Sequence, residues 1–341
     1  MTWKYSKQIV VGHRPDGKQV RKRIYANSKT ELNREMYKAL SEFENAKPDS
    51  NITFREYADH WLKTYKGTKE AATQEMYRNV LAKTGSIDHM CMKDIRQSDL
   101  QLIITRNASH PNACAKIRLA FRQIWACAVS EGILSSDITE RLETPKTGVK
   151  QGRALTKDEK TAIREAELND EERMFISLLY FLGVRPQEAL ALMPDDFTKE
   201  TVGIKRAVGY DGNKPYIKTT KTGNIRTLPI PDSFQPFLQN YLKNLDAPYL
   251  LHRNNKLMTK TVKSDLWLRI KKKIEQKLGY KTDMRPYTFR HNYATVCYYS
   301  GISLKKCQQL MGHNSLQMIM KVYAHLDDEQ ENIDRLKNLT F

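Results

Sequence analysis

The stretch MFISLLYFLGVRPQE, residues 174–188, carries two helix signals in immediate succession. Met174, Phe175, Leu178, Leu179 and Leu182 recur at the spacing of one helix face, which predicts a buried helix. Gly183 suits its end, because glycine enters the left-handed region without a Cβ penalty. Pro186 suits the first turn of a second helix, where a missing amide hydrogen costs nothing. Arg185 is thereby held at a helix start, with Glu188 three residues on. Downstream, strand-like runs at 202–208, 215–219 and 225–230 are expected, the last two joined by Thr220-Lys221-Thr222-Gly223-Asn224. That reading puts Lys221 on a hairpin turn. Helices are predicted at 232–245, 259–278, 288–300, 303–311 and 315–325.

Upstream, the pattern is helical. Thr53 with Glu56 forms a capping box, and Phe54, Tyr57, Ala58, Trp61 and Leu62 follow as one apolar face. Further helices are predicted at 73–81, 98–106 and 112–131; in the last, Ile117, Phe121, Ile124 and Ala128 point inward while Lys116, Arg118 and Arg122 face outward. Residues 48–51 and 144–152 read as linkers. At the start of the chain, extended runs at 3–13 and 18–25 flank Arg14-Pro15-Asp16-Gly17, a tight-turn sequence, and Ser28 with Glu31 opens a helix to about residue 46. The expected fold class is therefore multidomain: a small β-hairpin plus helix at 1–48, an all-α domain at 49–147, and a mixed, mainly α domain with a small antiparallel sheet at 148–341.

Composition narrows the partner. The 341 residues hold 57 Lys plus Arg against 39 Asp plus Glu, a formal charge of +18, which favours a polyanion. Eight basic residues and one acid lie in the first thirty positions. A hydrophobic fraction of 40% is enough for ordinary cores, so disorder throughout is excluded. No run approaches the ~18 apolar residues of a membrane span, and the residues after Met1 lack the apolar run of a signal peptide, so a cytoplasmic protein without membrane contact is expected. Five scattered cysteines with no CxxC pair argue against a disulfide framework or a zinc ribbon.

Four separated segments of the last domain stand out together: Gly183-Val184-Arg185-Pro186-Gln187-Glu188, Lys221, Tyr287-Thr288-Phe289-Arg290-His291, and Leu310-Met311-Gly312-His313 followed ten residues later by Tyr323. Jointly they resemble the catalytic domain of the tyrosine recombinase (phage integrase) family. That pattern is an Arg with an acid three residues on, a Lys, a His-x-x-Arg element, and a Leu-Gly-His element shortly before a nucleophilic Tyr. The resemblance covers 154 to about 326 by motif, and the upstream domains by layout. It implies Arg185, Lys221, Tyr287, Arg290, His313 and Tyr323 as catalytic residues, with Glu188 in structural support.

The chemistry explains the residue types. Breaking a phosphodiester places extra negative charge on the nonbridging oxygens, and two guanidiniums can each donate paired hydrogen bonds to them. The Tyr323 phenol would attack phosphorus, and the phosphotyrosine bond would be kept for rejoining, so neither metal nor cofactor is required. By resemblance Lys221 protonates the leaving 5′ oxygen. One position departs from the pattern: Tyr287 stands where the family has His. A phenol with an ordinary pKa near 10 donates rather than accepts a proton at neutrality, so Tyr287 is expected to hydrogen-bond the phosphate and not to act as base.

The resemblance also implies partners: double-stranded DNA at core-type and arm-type attachment sites, four protomers on two paired sites, and an excision factor. The basic hairpin, with Lys4, Arg14, Lys18, Arg21 and Arg23, is expected at arm-type sites, and the 49–147 domain (SAM-like), through Lys116 and Arg122, at the core site. Between Arg253 and Arg290, twelve basic residues against three acids suggest further phosphate contacts. Two other readings of the same residues are a topoisomerase IB-like relaxase and a DNA-binding regulator that keeps the fold without catalysis.

Overall fold

A computed structural model describes residues 4–13, 19–45, 51–146, 152–219, 225–312 and 320. The chain divides into two compact units, Met1–Gly148 and Val149–Phe341. In the first, β1 (Tyr5–His13) and β2 (Gln19–Ala26) pair antiparallel, with Tyr5 opposite Ala26 and a register shift between Val10 and Gly12. Strand alternation buries Ile9 and Ile24 against Ala39, Leu32 and Met36 of α1 (Lys29–Asn45). The opposite face presents Gln8, Arg21, Arg23 and Tyr25 to solvent. Helix α1 starts where expected, because Ser28 Oγ accepts from the Glu31 amide at 3.1 Å and Glu31 accepts from the Asn27 amide at 2.9 Å.

A separate apolar interior joins α2 (Phe54–Lys66), α3 (Ala71–Leu81), α4 (Gln97–Arg106) and α5 (Pro111–Ser130). The Thr53–Glu56 capping box closes in both directions. Phe54 stacks on Trp125 at 5.9 Å and meets Phe121 edge-on at 6.1 Å, with Trp61 and Tyr57 also buried. Burial of side chains this size stabilises by ~1.5–3 kcal/mol each, so packing rather than propensity holds these helices. Arg55 forks onto Asp88 at 3.1 and 2.6 Å and donates to the Leu81 carbonyl at 2.8 Å, tying the start of α2 to the end of α3.

The second unit runs α6 (Lys157–Glu165), α7 (Asp170–Leu182), α8 (Pro186–Ala189), β3 (Thr201–Ile204), β4 (Arg206–Asp211), β5 (Lys214–Thr219), β6 (Arg226–Pro229), α9 (Gln235–Lys243), α10 (Lys260–Leu278), α11 (Pro286–Tyr299) and α12 (Leu304–Met311). Helix α6 is absent from the sequence reading, since its nine residues bury only Ala162 and Ile163 as apolar groups. The strand pairing corrects an expectation. β5 pairs with β4 across Gly212-Asn213, and β6 pairs with β3, so the expected hairpin between β5 and β6 does not form. The two-residue turn Gly212-Asn213 joins β4 directly to its partner β5, and Lys221 falls in 220–224, outside the described residues.

Met174, Phe175, Leu178 and Leu179 of α7 are fully buried in the same apolar core as Leu266, Ile270 and Ile274 of α10. Glu171 and Glu172 in the first turn of α7 suit its positive helix end and draw cations from the basic stretch. Lys273 reaches Glu172 at 2.6 Å, Arg253 holds Glu171 at 2.6 and 2.8 Å, and Arg269 lies 3.5 Å from Glu172. Three of the cations expected on phosphate are thus paired within the unit. Among the described residues, no helix is long and apolar enough to cross a membrane.

Candidate active site

Two helix ends build the site. Helix α7 stops at Gly183, whose φ of +59° is left-handed and whose missing Cβ leaves room for the Tyr293 ring, 2.4 Å from where that atom would sit. Pro186 then starts α8, and Arg185 between them is its N-cap residue. The Arg185 amide donates to Glu188 Oε2 at 2.8 Å and its Nη1 to Oε1 at 2.8 Å. Helix α12 ends likewise at Gly312, with φ of +60°. Its last carbonyls, left without intrahelical donors, each meet a different arginine. Leu310 O accepts from Arg226 Nε at 2.8 Å, Met311 O from Arg290 Nη2, and Gly312 O from Arg185 Nη2 at 2.9 Å. Arg290 Nη1 also donates to Gly183 O at 2.7 Å, so the two helix ends share one guanidinium.

A single carboxylate balances this cluster. Glu188 is 1% exposed and takes Arg226 Nη1 at 3.1 Å and Nη2 at 2.6 Å besides Arg185. Burial alone would push its carboxyl up, but hydrogen bonds and charge from Arg226, with the Arg185 amide, outweigh that and bring it down to about 2. Arg290, 4% exposed, is lowered to about 9 by burial and by Arg185 and Arg226, and stays protonated at neutral pH. The neighbouring His291 is lowered by burial and by Arg290, which favours its neutral form. Three guanidiniums against one carboxylate leave a local surplus of positive charge.

The fold thus brings the Arg185–Glu188 segment together with Arg290 of α11. Tyr287 stands on the first turn of α11, 48% exposed, one helical turn before Arg290. Lys221, His313 and Tyr323 lie outside the described residues, as do Arg14 and Lys18 and the predicted helix at 315–325. Lys4, Arg21 and Arg23 are exposed on or beside the hairpin, and Lys116 and Arg122 on α5. Among the described residues, no three His, Cys, Asp or Glu side chains gather as a metal site. Sequence reasoning missed Arg226. Its signal was available: in 225–230 exposed and buried positions alternate, and Arg226 shares the inward parity of Leu228 and Ile230.

Comparison with known proteins agrees. The phage integrase family profile matches residues 153–330. Tyrosine recombinase XerA of Pyrococcus furiosus is 31% identical over 236 residues, spanning 65% of this chain and 76% of its own. Tyrosine recombinase XerC of Roseiflexus castenholzii is 28% identical over 231 residues, spanning 62% and 68%. Among solved structures, the Tn1549 transposon integrase bound to a circular intermediate DNA superposes with a TM-score of 0.72 at 16% identity, covering 84% of this chain and 99% of that one. A lambda integrase tetramer on a Holliday junction gives 0.61 at 17% identity, covering 89% and 92%. With a profile spanning more than half its length and an arginine cluster in the matched region, the chain belongs to the phage integrase family and is a tyrosine recombinase.

Proposed function

We propose that this protein is a site-specific DNA integrase that cleaves and rejoins DNA through a 3′-phosphotyrosyl intermediate, inserting and excising a mobile element. The observation that carries the reading is the convergence of Arg185 and Arg290 on the end of α12, one residue before His313. In this mechanism the Tyr323 oxygen attacks phosphorus, its proton passing to water, and the bond from phosphorus to the 5′ oxygen breaks. Lys221 gives that oxygen its proton, while Arg185, Arg290 and His313 donate to the nonbridging oxygens and Tyr287 adds a phenolic donor. Exchange reverses the steps with a new 5′ hydroxyl, so the bond energy is conserved and no cofactor enters.

The remaining parts follow the same reading: 1–48 binds arm-type sites, 49–147 grips the core site with Lys116 and Arg122, and 148–341 reacts. The basic face holding Arg21 and Arg23 supports the first assignment. Likeness to a transposon integrase and to a tetrameric phage integrase supports a mobile-element role and a tetramer, with an excision factor as a further partner. The test is a nicked suicide duplex carrying the attachment sequence, resolved on a denaturing gel. Wild type should yield a covalent adduct that Tyr323→Phe does not. No adduct on a duplex that the protein demonstrably binds would leave a DNA-binding regulator instead.

A further inference from the structure

We propose that Arg226 is a positioning residue for recombination, holding the phosphate-binding arginines in place without touching DNA. This rests on the function proposed above. Arg226 is buried, and each of its three guanidinium nitrogens donates to a protein acceptor: Nε to Leu310 O, Nη1 and Nη2 to the two oxygens of Glu188. Three of its five N–H groups are committed in this way, and its side chain is 8% exposed, against 16% for Arg185. Its acceptors are the carboxylate that also holds Arg185 and a carbonyl at the helix end that holds Arg185 and Arg290. Glu188 offers four acceptor positions, two taken by Arg226 and two by Arg185. Leu310 O belongs to the helix end whose next two carbonyls hold Arg290 and Arg185.

Gly312 reinforces the link. A Cβ there would stand 3.1 Å from Arg226 Nη1, so the turn leading to His313 packs directly on the guanidinium. Arg226 also opens β6, five residues after Lys221. One side chain therefore joins the strand that follows Lys221, the carboxylate that orients Arg185, and the turn that precedes His313. An ion pair kept for stability alone has no need of this arrangement, since buried pairs are commonly matched by apolar side chains of the same volume.

The test uses the full chain on the nicked suicide duplex, with single-turnover adduct rates and binding by fluorescence anisotropy measured separately. Arg226→Met should slow adduct formation on the order of 10²-fold, the usual effect of a ~1 Å misplacement, while Kd moves less than about threefold. Arg226→Lys, which keeps charge without the fork, should recover part of the rate. In a Glu188→Gln background, Arg226→Met should cost clearly less than its full single-mutant loss, because part of its effect runs through that carboxylate and part through Leu310 O. A wild-type rate for Arg226→Met, a rate loss matched by lost binding, or full additivity with Glu188→Gln would each overturn the positioning role. Should Arg226→Met not fold by circular dichroism, Arg226→Lys and Arg226→Gln decide by the same comparison. A wild-type protein that binds and forms no adduct would instead sink the recombinase chemistry.

Discussion

The helical bundle of residues 54–142 and the site of the second unit are both buried, by opposite means. Among the described residues, the bundle buries Thr84 and Thr139 as its polar side chains, whereas the second unit buries Glu159, Glu172, Glu188, Asp196, Arg226 and Arg290. Apolar and aromatic groups need no partner, so the bundle's rings serve as filler that any close-packed arrangement satisfies. Buried ions cost several kcal/mol each to desolvate and persist only when their hydrogen-bonding positions are filled. Such a network is a poor way to gain stability and a good way to fix the direction of cations. The contrast separates a region selected for packing from one selected for geometry.

The largest effect expected on the bundle side comes from Phe121→Ala. Removing a fully buried ring should lower stability by ~3–5 kcal/mol, read as lost hydrogen-exchange protection confined to 54–142. If protection around Arg185 and Arg290 fell equally, the two regions would not be independent. On the site side, Arg290→Lys retains charge but cannot span Gly183 O and Met311 O together. Adduct formation should drop on the order of 10²- to 10³-fold, with bundle protection unchanged. A rate within a few-fold of wild type would show that charge suffices and the fork is incidental.

Acid sharpens the comparison further. Glu188 and Glu159 both sit at about 2 in the folded chain against an ordinary 4.5, in each case because hydrogen bonds and arginine charge outweigh the upward push of burial. A lowered folded pKa stabilises fully above the unfolded value, and that contribution disappears as pH falls from about 4.5 to about 2. For the nearly inaccessible Glu188 this is on the order of 3 kcal/mol. Urea midpoints of the second unit should therefore drop across that window more than those of the bundle; parallel titration of the two would contradict the contrast. The smallest effect is at the cap: Thr53→Ala should reduce stability by ~1 kcal/mol, visible as fraying of the first turn of α2 and without effect on adduct formation.

Legibility followed the range of the interaction. Helices α2, α7 and α10 were readable because their caps and apolar faces repeat within a few residues. Helix α6 was not, since two apolar side chains make no period. The strand pairing was misread where two turn sequences competed, Gly212-Asn213 and Thr220 to Asn224, and the shorter one closed the ladder. Cations of the 253–290 stretch read as free because Glu171 and Glu172, which hold three of them, lie about a hundred residues away in the chain. Arg226 showed only its parity, and parity says that a side chain turns inward without saying what it meets.

By itself, the sequence determined the capped and strongly periodic helices such as α2, α7 and α10, the surplus of +18 that selects a polyanion, and the ordered Arg185, Lys221, Arg290, His313 and Tyr323 whose pattern marks the family. Each is local, or additive along the chain. The tertiary structure alone decided that Glu188 holds Arg226 besides its neighbour Arg185, and that the end of α12 holds three arginines, because those contacts span 38, 84, 21 and 127 residues. A residue's type limits the partners it can take. Which of them it meets depends on how the whole unit closes around buried charge, and that closure has no local trace.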